Sequence, residues 1–367
     1  MGGVRFETIV IGGGQAGLST GHQLAKRGLP FVILDANDRI GDAWRTRWDS
    51  LRLFTPARYD GLPGWRFPAP PWTFPTKDET ADYLEAYAEK FELPIRTGVR
   101  VTRLTREGDR YVVSSGEHRF EADSVIVATG AYRVPKVPPF ALDLDPSIVQ
   151  LHSSDYRRPS QLREGAALVV GVGNSGAEIA FELSRERRTL LAGKESGHIP
   201  VRHGPTMART VFRVVRFVGH HMLTRSTAIG RRVAPKLAHR AAPLIRVRPK
   251  ELVAAGVERV PRVLGVRDGL PILEDGNVLK VENVIWCTGF QHGFHWIDLP
   301  IFDGDGLPLH ERGVVSSEPG LAFVGLVFQY ALSSDTLPGV GRDAAYVAEH
   351  FASRRRKGRL PARVPAR

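Results

Sequence analysis

The strongest constraint on how this chain can fold is a glycine-rich pattern that occurs twice. The first copy, Gly12–Gly17, follows the apolar residues 8–11 and opens a helical pattern. The second copy, Gly171–Gly176, follows the apolar residues 167–170 and opens another. A strand, a glycine turn and a helix in this order are typical of dinucleotide-binding units, where the helix start receives a pyrophosphate. The sequence therefore predicts an α/β fold with two Rossmann-like dinucleotide-binding domains.

A second repeated feature is a strand rich in β-branched residues that ends in Thr-Gly, at 124–130 and again at 283–289. Along the chain, a glycine turn and a Thr-Gly strand are followed by a second glycine turn and a second Thr-Gly strand. This alternation predicts that the second domain is inserted within the first. The Thr-Gly segments would then carry the chain across between the two domains.

The first glycine turn has the residue types that a bound pyrophosphate requires. Gly12 permits the tight turn, Gly14 lets the main chain approach the phosphates, and Gly17 allows close packing of helix on strand. Asp35 ends the next strand about 20 residues on, where a carboxylate can bind both hydroxyls of a ribose. The predicted contacts of this turn are Gly12, Gly14, Gln15, Ala16, Gly17 and Asp35.

The second glycine turn has the same spacing, but the strand after it, at 189–192, ends in Gly193-Lys194 instead of an acid. A carboxylate there would repel a 2′-phosphate, whereas a cation would attract it, so Lys194 and Arg202 favour NADPH over NADH. Arg187 and Arg188 are alternatives, although they precede the strand. The predicted contacts of this turn are Gly171, Gly173, Asn174, Ser175, Gly176, Lys194 and Arg202.

Two dinucleotide sites in one chain predict a resident FAD and an exchanging NADPH, which reduces the flavin by hydride transfer. The predicted domains are an FAD-binding domain at 1–160 and 286–352, an NADPH-binding domain at 161–285, an insertion in it at 205–250, and a basic tail at 353–367. The insertion is basic and interrupted by prolines. It could be a substrate-side cap, an interface or a mobile segment.

The remaining patterns predict individual elements. Helical spacing follows a capping-box-like start at Thr76–Glu79, and alternating apolar residues indicate a small antiparallel meander. The predicted elements are a helix at 78–91, strands at 99–104, 110–114, 118–122 and 321–326, a closing helix at 341–351, and a frayed basic run at 354–357.

Composition limits the expected partners and compartment. The net charge is +12, but the basic residues are spread along the chain without a nucleic-acid module, so nucleic acid is not an expected partner. A solvated surface or attraction of dinucleotides explains the charge. The single cysteine, Cys287, excludes an internal disulfide and a two-cysteine relay, which fits a cytoplasmic location. Neither a signal peptide nor a membrane span is recognised.

No metal site is predicted. The histidine pairs His220-His221 and His292/His295 lack a framework of carboxylates and histidines at a known ligand spacing. Cys287 lies in an apolar strand and is interpreted as a packed core thiol. The chemistry is therefore expected to depend on the two nucleotide cofactors.

Together these residues resemble the flavin-containing monooxygenase-like family of class B flavoproteins, whose bacterial and plant branch includes auxin-biosynthetic enzymes. The resemblance rests on both glycine turns, both Thr-Gly segments, Ile40–Leu53 and Gly339–Ala344. It covers roughly residues 5–350 and is weakest at 205–250. By this resemblance, additional cofactor contacts are Trp44, Arg45, Ala128, Thr129, Gly130 and Asp343, with Asp343 also expected to cap the closing helix.

Two departures from the family pattern concern the oxygenase chemistry. Before His152, where the family's inter-domain stretch has Phe and Gly, this chain has Pro146 and Ile148. After the Leu-Arg-Leu segment, where the family often has Asn or His, it has Phe54-Thr55. His152 itself could touch the nicotinamide side or be a linker histidine bonded to main chain.

The resemblance implies an FAD-dependent, NADPH-consuming monooxygenase that uses a C4a-(hydro)peroxyflavin to insert one atom of O2 into a small lipophilic substrate. No side chain need act as a covalent catalyst, and His152 is the one candidate catalytic residue. Two alternatives stay open. One is an NADPH:acceptor oxidoreductase without substrate oxygenation, and the other is a redox-sensing flavoprotein with a partner surface at 205–250.

Overall fold

The structure, a computed structural model, describes residues 4–194, 197–238 and 243–358. The strands in chain order are β1 (Val4–Ile11), β2 (Val32–Leu34), β3 (Ile95–Arg96), β4 (Arg103–Glu107), β5 (Arg110–Ser115), β6 (His118–Val127), β7 (Val134–Pro135), β8 (Val149–His152), β9 (Ala167–Val170), β10 (Thr189–Ala192), β11 (Glu258–Val260), β12 (Val263–Arg267), β13 (Leu270–Leu273), β14 (Asn283–Trp286), β15 (Phe290–Gln291) and β16 (Leu321–Phe323). The α-helices are α1 (Gln15–Lys26), α2 (Asp42–Arg45), α3 (Lys77–Lys90), α4 (Asn174–Leu183), α5 (Pro205–Arg209), α6 (Val211–Phe217), α7 (Ala228–Ala238), α8 (Pro249–Ala254) and α9 (Leu337–Arg356). Shorter 3-10 turns occupy Ala57–Tyr59, Pro139–Asp143 and Pro159–Gln161, and a π turn occupies Val218–Met222.

Within the described residues, the larger sheet has seven strands in the order β3-β2-β1-β6-β5-β4, with β16 also paired to β6. β1 runs parallel to β2 and β6, and β5 and β4 add an antiparallel arm. The predicted strands at 118–122 and 124–130 are one continuous strand, β6. Asp123, a turn-type residue by sequence, stays within it because β1 pairs with the strand on both sides of this position, and its carboxylate also pairs with Arg5 at 3.3 Å.

The smaller sheet has five strands in the order β11-β10-β9-β14-β8, all parallel. It begins at Val149 and its last strand ends at Trp286, whereas the sequence boundaries were drawn at 161 and 285. β8 precedes the second glycine turn, and its short alternating sequence gave no sign of which sheet it joins.

The two Thr-Gly segments leave neighbouring sheets and then meet. The chain leaves the larger sheet after β6 and returns after β14, and the short strands β7 and β15 of these crossings pair antiparallel with each other. The main-chain N–H of Lys136 donates to the Gly289 carbonyl at 3.0 Å. Each crossing therefore supports the other, as the predicted insertion of one domain into the other requires.

The predicted helices form, with different limits for the last one. α3 starts with the expected capping box, in which Thr76 and Glu79 bond each other's main chain. α9 starts at Leu337 instead of 341, because Pro338 is tolerated in a first helical turn. It continues through Arg356, so residues 353–356 of the predicted basic tail are helical. The rest of that tail from 359 lies outside the described residues.

Two further strand limits differ from the sequence prediction. The predicted strand at 99–104 starts later, at Arg103, and the predicted strand at 321–326 ends at Phe323. In both cases apolar residues beyond the strand, such as Val101 and Leu326, pack on the core of the larger sheet without joining the ladder. The apolar residues outside these two strands therefore reflect burial in the core and not strand pairing.

The inserted segment, residues 205–250, and the residues leading into it pack on the larger domain from two sides. On one side, the His203 ring lies 3.9 Å from the Phe74 ring, and Phe212 stacks on Tyr59 at 5.6 Å. His203 Nε2 also lies 3.0 Å from the Phe54 carbonyl oxygen.

On the other side, the inserted segment bonds the loop ahead of α9. The Arg225 main-chain N–H and guanidinium donate to the Tyr330 and Phe328 carbonyls at 2.7 and 3.0 Å. His220 Nδ1 lies 3.1 Å from the Ser333 hydroxyl. The inserted segment is therefore held on the larger domain from both sides. No helix in the described ranges is both long and apolar enough to cross a bilayer.

Candidate functional site

The first glycine turn uses its glycines in two different ways. Gly12 has φ +109°, and a Cβ there would lie 2.6 Å from the Ala128 carbonyl oxygen. A Cβ on Gly17 would lie 1.8 Å from the Gly12 oxygen, because α1 packs directly on the turn. A Cβ on Gly14 would meet no atom within 4 Å. Gly12 and Gly17 are thus required by the protein itself, whereas the space at Gly14 is open to a ligand.

The second glycine turn repeats this arrangement residue for residue. Gly171 has φ +112°, and a Cβ there would lie 2.3 Å from the Cys287 carbonyl oxygen. A Cβ on Gly176 would lie 1.9 Å from the Gly171 oxygen, and one on Gly173 would meet nothing within 4 Å. The structure therefore brings each glycine turn onto the Thr-Gly segment that follows in its own sheet.

Both helix starts are suited to an anion. Among the described residues, neither α1 nor α4 has a side-chain cap at its N-terminus or an acid in its first turn. The first N–H groups of a helix have no partner within the helix and carry partial positive charge. Beside the first turn, the Thr129 hydroxyl is buried with no hydrogen-bond partner in the described structure. These features fit a dinucleotide pyrophosphate at each turn.

Asp35 lies where the sequence predicted, at the end of β2, and is 7% exposed. Its Oδ2 accepts the Gly13 main-chain N–H at 2.5 Å. Its Oδ1 accepts from the Asn37 main chain and side chain at 2.8 and 2.9 Å. The carboxylate is therefore held against the glycine turn in one orientation, as binding of a ribose next to the turn requires.

Gln15, the first residue of α1, connects two segments that the family resemblance placed near the flavin. Trp44 Nε1 donates to Gln15 Oε1, and Gln15 Nε2 donates to the Asp335 carbonyl, both at 3.3 Å. Trp44 is partly buried against the core of the larger domain. Helix α2 and the loop before α9 thus meet at the start of α1.

Arg45, which the family resemblance predicts to contact a cofactor, bonds to acids of the protein itself. Its guanidinium forms ion pairs with Asp42, Asp82 and Glu85 at 3.1, 2.9 and 2.9 Å, and it also donates to the Ile40 carbonyl. These bonds tie α2 to α3. Because the guanidinium N–H groups bond to the protein's own acids, Arg45 stabilises the packing of α2 on α3.

Asn174 also has a structural task that the sequence did not reveal. Its amide donates to the Pro243 carbonyl at 3.1 Å and accepts the Ile245 main-chain N–H at 2.9 Å. The side chain therefore anchors the end of the inserted segment at the second turn. The main chain of Asn174 and the neighbouring Ser175 lie at the helix start, where the sequence predicts the ligand contacts.

The predicted cations of the second site are on the surface. Lys194 is exposed just after β10, and Arg202 is 82% exposed with its Nε 3.8 Å from Glu251. Sequence reasoning missed Arg259, whose Nη2 donates to the Gly193 carbonyl at 2.8 Å from the neighbouring strand β11. A three-residue strand with two charged residues carries no readable pattern, so only the sheet places Arg259 there.

A small cavity opens beside the second turn. It is lined by Val172, Gly197, Leu244, Pro249, Leu252, Val253 and Arg259. The cavity lies between the glycine turn and α8, on the side where Arg259 reaches Gly193.

His152 is buried in the linker between the domains. Its Nε2–H donates to the Gly289 carbonyl at 3.1 Å, and its Nδ1 accepts the Ser154 main-chain N–H at 3.1 Å. Burial lowers its pKa, although the bond to Gly289 acts in the opposite direction. Its ring also packs edge-on against Phe290 at 5.0 Å. A neutral His152 is thus bonded through Nε2 to the second crossing and through Nδ1 to its own turn after β8.

Asp343 does not cap the closing helix, which corrects that prediction. It lies inside α9, whose first residue is Leu337, and it is fully buried. Burial raises its pKa, while Ser334 and Arg342 act in the opposite direction. The nearest Arg342 nitrogen is 4.0 Å away, and Ser334 lies outside ordinary hydrogen-bond geometry.

Asp60 is a second buried carboxylate, and the sequence gave no signal for it because Asp-Gly reads as a turn. It is 0% exposed, and in the described structure neither oxygen has a partner in hydrogen-bond geometry. Burial raises its pKa to about 7, although the nearby Thr55 hydroxyl favours the charged form. Thr55 belongs to the segment that departs from the family pattern next to the flavin.

The burial of Cys287 agrees with its interpretation as a packed core thiol. Burial raises the pKa of the Cys287 thiol to about 12, so it is a poor nucleophile at neutral pH. In the described part of the chain, no group of three or more His, Cys, Asp or Glu side chains is arranged to hold a metal ion.

Comparison with known proteins identifies related sequences and structures. A family model described as pyridine nucleotide-disulphide oxidoreductase matches residues 9–198. An uncharacterized CzcO-like oxidoreductase of Geobacillus kaustophilus is 39% identical over 93% of this chain and 97% of its own length. The indole-3-pyruvate monooxygenase YUCCA8 of Oryza sativa is 27% identical over 94% of this chain and 90% of its own. A flavin-containing monooxygenase from Stenotrophomonas maltophilia has a similar structure, with TM-score 0.75, 28% identity and coverage of 95% of this chain and 99% of that one.

The buried Asp60 generates a prediction about stability. Its folded pKa of about 7 lies above the ordinary value of 3.8, so the native protein holds a proton that the unfolded chain releases. The stabilisation is complete below about pH 4 and is lost as the pH rises through about 7. Asp60→Asn removes this dependence, so the stabilisation that it gives should be larger at pH 8 than at pH 5, by about 3 kcal/mol.

Chemical unfolding of the flavin-loaded protein at pH 5 and pH 8 measures this difference. Asp305→Asn, a change at an exposed aspartate, is the matched control and should leave the pH dependence as it is in the wild type. Parallel pH profiles for the wild type and Asp60→Asn would show that Asp60 does not titrate between the two states.

Proposed function

Because the chain belongs to the flavin-containing monooxygenase-like family of class B flavoproteins, we propose that it inserts one atom of O2 into a small lipophilic substrate. The protein is a flavin-dependent oxidoreductase, and its cofactors are FAD and NADPH. The observation that carries the proposal is the pair of matching glycine turns. Each has an open middle glycine and an anion-ready helix start, and the crossings between the two sheets pair with each other.

We assign FAD to the larger sheet, in a domain formed by the residues before 149 and after 286. The pyrophosphate would contact Gly12, Gly14, Gln15, Ala16 and Gly17 at the start of α1. Asp35, oriented by Gly13 and Asn37, would bind the ribose. Support for the flavin end comes from the buried, unpartnered Thr129 hydroxyl and from Trp44, Ala128, Gly130 and Asp343, which the family resemblance places near the flavin.

We assign NADPH to the smaller sheet, in the domain formed by residues 149–286. Its pyrophosphate would contact Gly171, Gly173, Ser175, Gly176 and the main chain of Asn174. The 2′-phosphate would be attracted by Lys194 and Arg202, as the sequence predicts. Arg259 adds a third cation, fixed to the Gly193 carbonyl beside the cavity at this turn.

When bound, NADPH supplies a hydride to FAD, and the reduced flavin supplies the electrons that activate O2. The chain's own task is to hold both nucleotides and to keep water from the reacting atoms. Two features support this task. The crossings lock the sheets together through Lys136 and Gly289, and the inserted segment lies over residues 54–74 of the larger domain.

A lipophilic substrate is favoured by the side chains between the inserted segment and the larger domain. This contact consists mainly of rings, with His203 against Phe74 and Phe212 against Tyr59. A transfer of electrons to a protein disulfide through a second cysteine is excluded by the single Cys287.

Gly14→Val and Gly173→Val separate the two nucleotide sites. At both positions a side chain meets no protein atom within 4 Å, so it would exclude only the pyrophosphate. Gly14→Val should yield a folded protein without flavin. Gly173→Val should keep the flavin but slow its anaerobic reduction by NADPH roughly a hundredfold.

The measurements are flavin absorbance of the purified protein and stopped-flow reduction, with Gly304→Val, another open glycine, as control. Retention of full flavin by Gly14→Val would contradict the assignment of FAD to the first turn. Normal reduction of Gly173→Val would contradict the assignment of NADPH to the second.

Lys194→Ala combined with Arg202→Ala tests the preference for NADPH. The double variant should raise the KM for NADPH about tenfold more than the KM for NADH. Only NADPH has a 2′-phosphate, and the variant lacks the two cations expected to attract it. Arg259→Gln is expected to act in the same direction. Arg188→Gln, at an arginine paired with Glu258 before the strand, should change neither KM. Equal effects on both nucleotides would count against recognition of the phosphate.

Oxygen uptake tests the monooxygenase proposal against its alternative, an NADPH:acceptor oxidoreductase. NADPH-dependent O2 consumption and hydrogen peroxide yield are measured with lipophilic compounds containing nitrogen, sulfur or a carbonyl. For a monooxygenase, a true substrate lowers the peroxide yield below the O2 consumed and gives a product labelled by heavy-isotope O2. Peroxide equal to O2 with every compound, together with rapid turnover on a quinone, would favour the alternative.

A further inference from the structure

The distribution of acids, and not that of bases, singles out one part of this chain. The full sequence has 51 basic and 39 acidic residues. Residues 196–250, the inserted segment and the residues leading into it, contain 12 lysines and arginines and no aspartate or glutamate. The rest of the chain has 39 residues of each sign. Basic residues occur throughout the chain, but outside this segment acidic residues balance them. The net charge of +12 is therefore the charge of residues 196–250.

The middle of the segment has one face on the protein and one toward solvent. Helix α6 and the π turn after it form a continuous rod, Val211–Met222. Its inner face packs through Phe212 on Tyr59 and through His220 on Ser333. The Arg342 guanidinium also donates to the His220 carbonyl at 2.5 Å. The rod is therefore fixed on the larger domain along its length.

The outer face of this rod is apolar where an ordinary surface helix is polar. Val214 is 63% exposed and Phe217 is 56% exposed. Phe217 is followed one turn later by the exposed His221, whose ring lies 5.1 Å from it. We call the exposed side chains Val214, Val215, Phe217 and Met222 of this rod the outer apolar patch. The exposed Arg213 lies among them, and the exposed Arg209, Arg231 and Arg232 come shortly before and after the rod in the chain.

We propose that the outer apolar patch and its arginines bind the surface of a membrane that contains anionic lipids. A helix that lies in the lipid headgroup region has apolar side chains on one face and arginines or lysines around it. The arginines match a negative surface potential, and the patch supplies the contact with acyl chains. The absence of a spanning helix in the described residues is compatible with binding at the surface.

Two other occupants fit the same residues less well. A second copy of this chain would bring another acid-free segment with the same positive charge against the first, which is unfavourable. A nucleic acid would match the arginines, but exposed Val214, Phe217 and Met222 have no use against phosphates. Only an anionic lipid surface uses both the charge and the apolar side chains.

Vesicle binding by the full-length, flavin-loaded protein tests the proposal. The probes are mixed phosphatidylglycerol–phosphatidylcholine vesicles and pure phosphatidylcholine vesicles, at low and high salt. We expect co-sedimentation with the mixed vesicles, weakening as salt rises because the charge is screened. Binding to pure phosphatidylcholine should be at least about tenfold weaker.

Two double variants separate the apolar and the electrostatic parts. Val214→Ser with Phe217→Ser, and Arg213→Gln with Arg232→Gln, should each weaken binding to mixed vesicles roughly tenfold or more. The matched control is Leu142→Ser with Arg267→Gln, which changes an exposed leucine and an exposed arginine outside the segment. All variants should keep their flavin content and rate of NADPH oxidation, since the changed side chains face solvent.

Several outcomes would overturn the proposal. One is a lack of binding to mixed vesicles at low salt by a protein that retains its flavin. Another is equal binding by the wild type and the Val214/Phe217 variant, or an equal loss with the Leu142/Arg267 control. Tighter binding to RNA than to mixed vesicles, insensitive to the apolar changes, would assign the segment to a polyanion instead.

Discussion

Two main-chain carbonyls determine where the two glycine turns, and the helices that follow them, can lie. The oxygens of Ala128 and Cys287 press against the first glycine of each turn, closely enough that a Cβ there would lie 2.6 or 2.3 Å away. Each contact joins the turn after one strand to the end of a parallel neighbour, so the helix start is held at the carboxyl edge of its sheet. Ligands of open parallel sheets bind at this edge.

The same contacts explain why the two domains can be interleaved without losing their sites. Because each Thr-Gly segment both closes a glycine turn and leads away from its sheet, the crossings start at the two nucleotide sites. There they pair with each other through β7 and β15, and the second crossing also accepts a bond from His152. The relative position of the two glycine turns thus depends on a few bonds in the linkers.

The inserted segment adds a layer that packs on both sheets' domains. It is anchored at the second turn by Asn174 and at the larger domain by Phe212, His220 and Arg225. It therefore touches both nucleotide-binding halves at once. A partner that binds its basic outer surface would therefore act on a segment that also contacts both domains.

The amino-acid sequence by itself determined the two turns, the order of their strands and the position of Asp35, because these depend on short-range spacing that repeats in the chain. Glycine at 12 and 17 and at 171 and 176 is required by close main-chain contacts, and the helix at Lys77–Lys90 follows from its own capping box. Only the tertiary structure decided the use of Arg45, Asn174, Asp60 and Arg259. Each of these side chains takes its role from a partner that is distant in sequence or from complete burial. Local patterns contain no information about such partners, and they do not reveal which face of 211–222 stays in solvent.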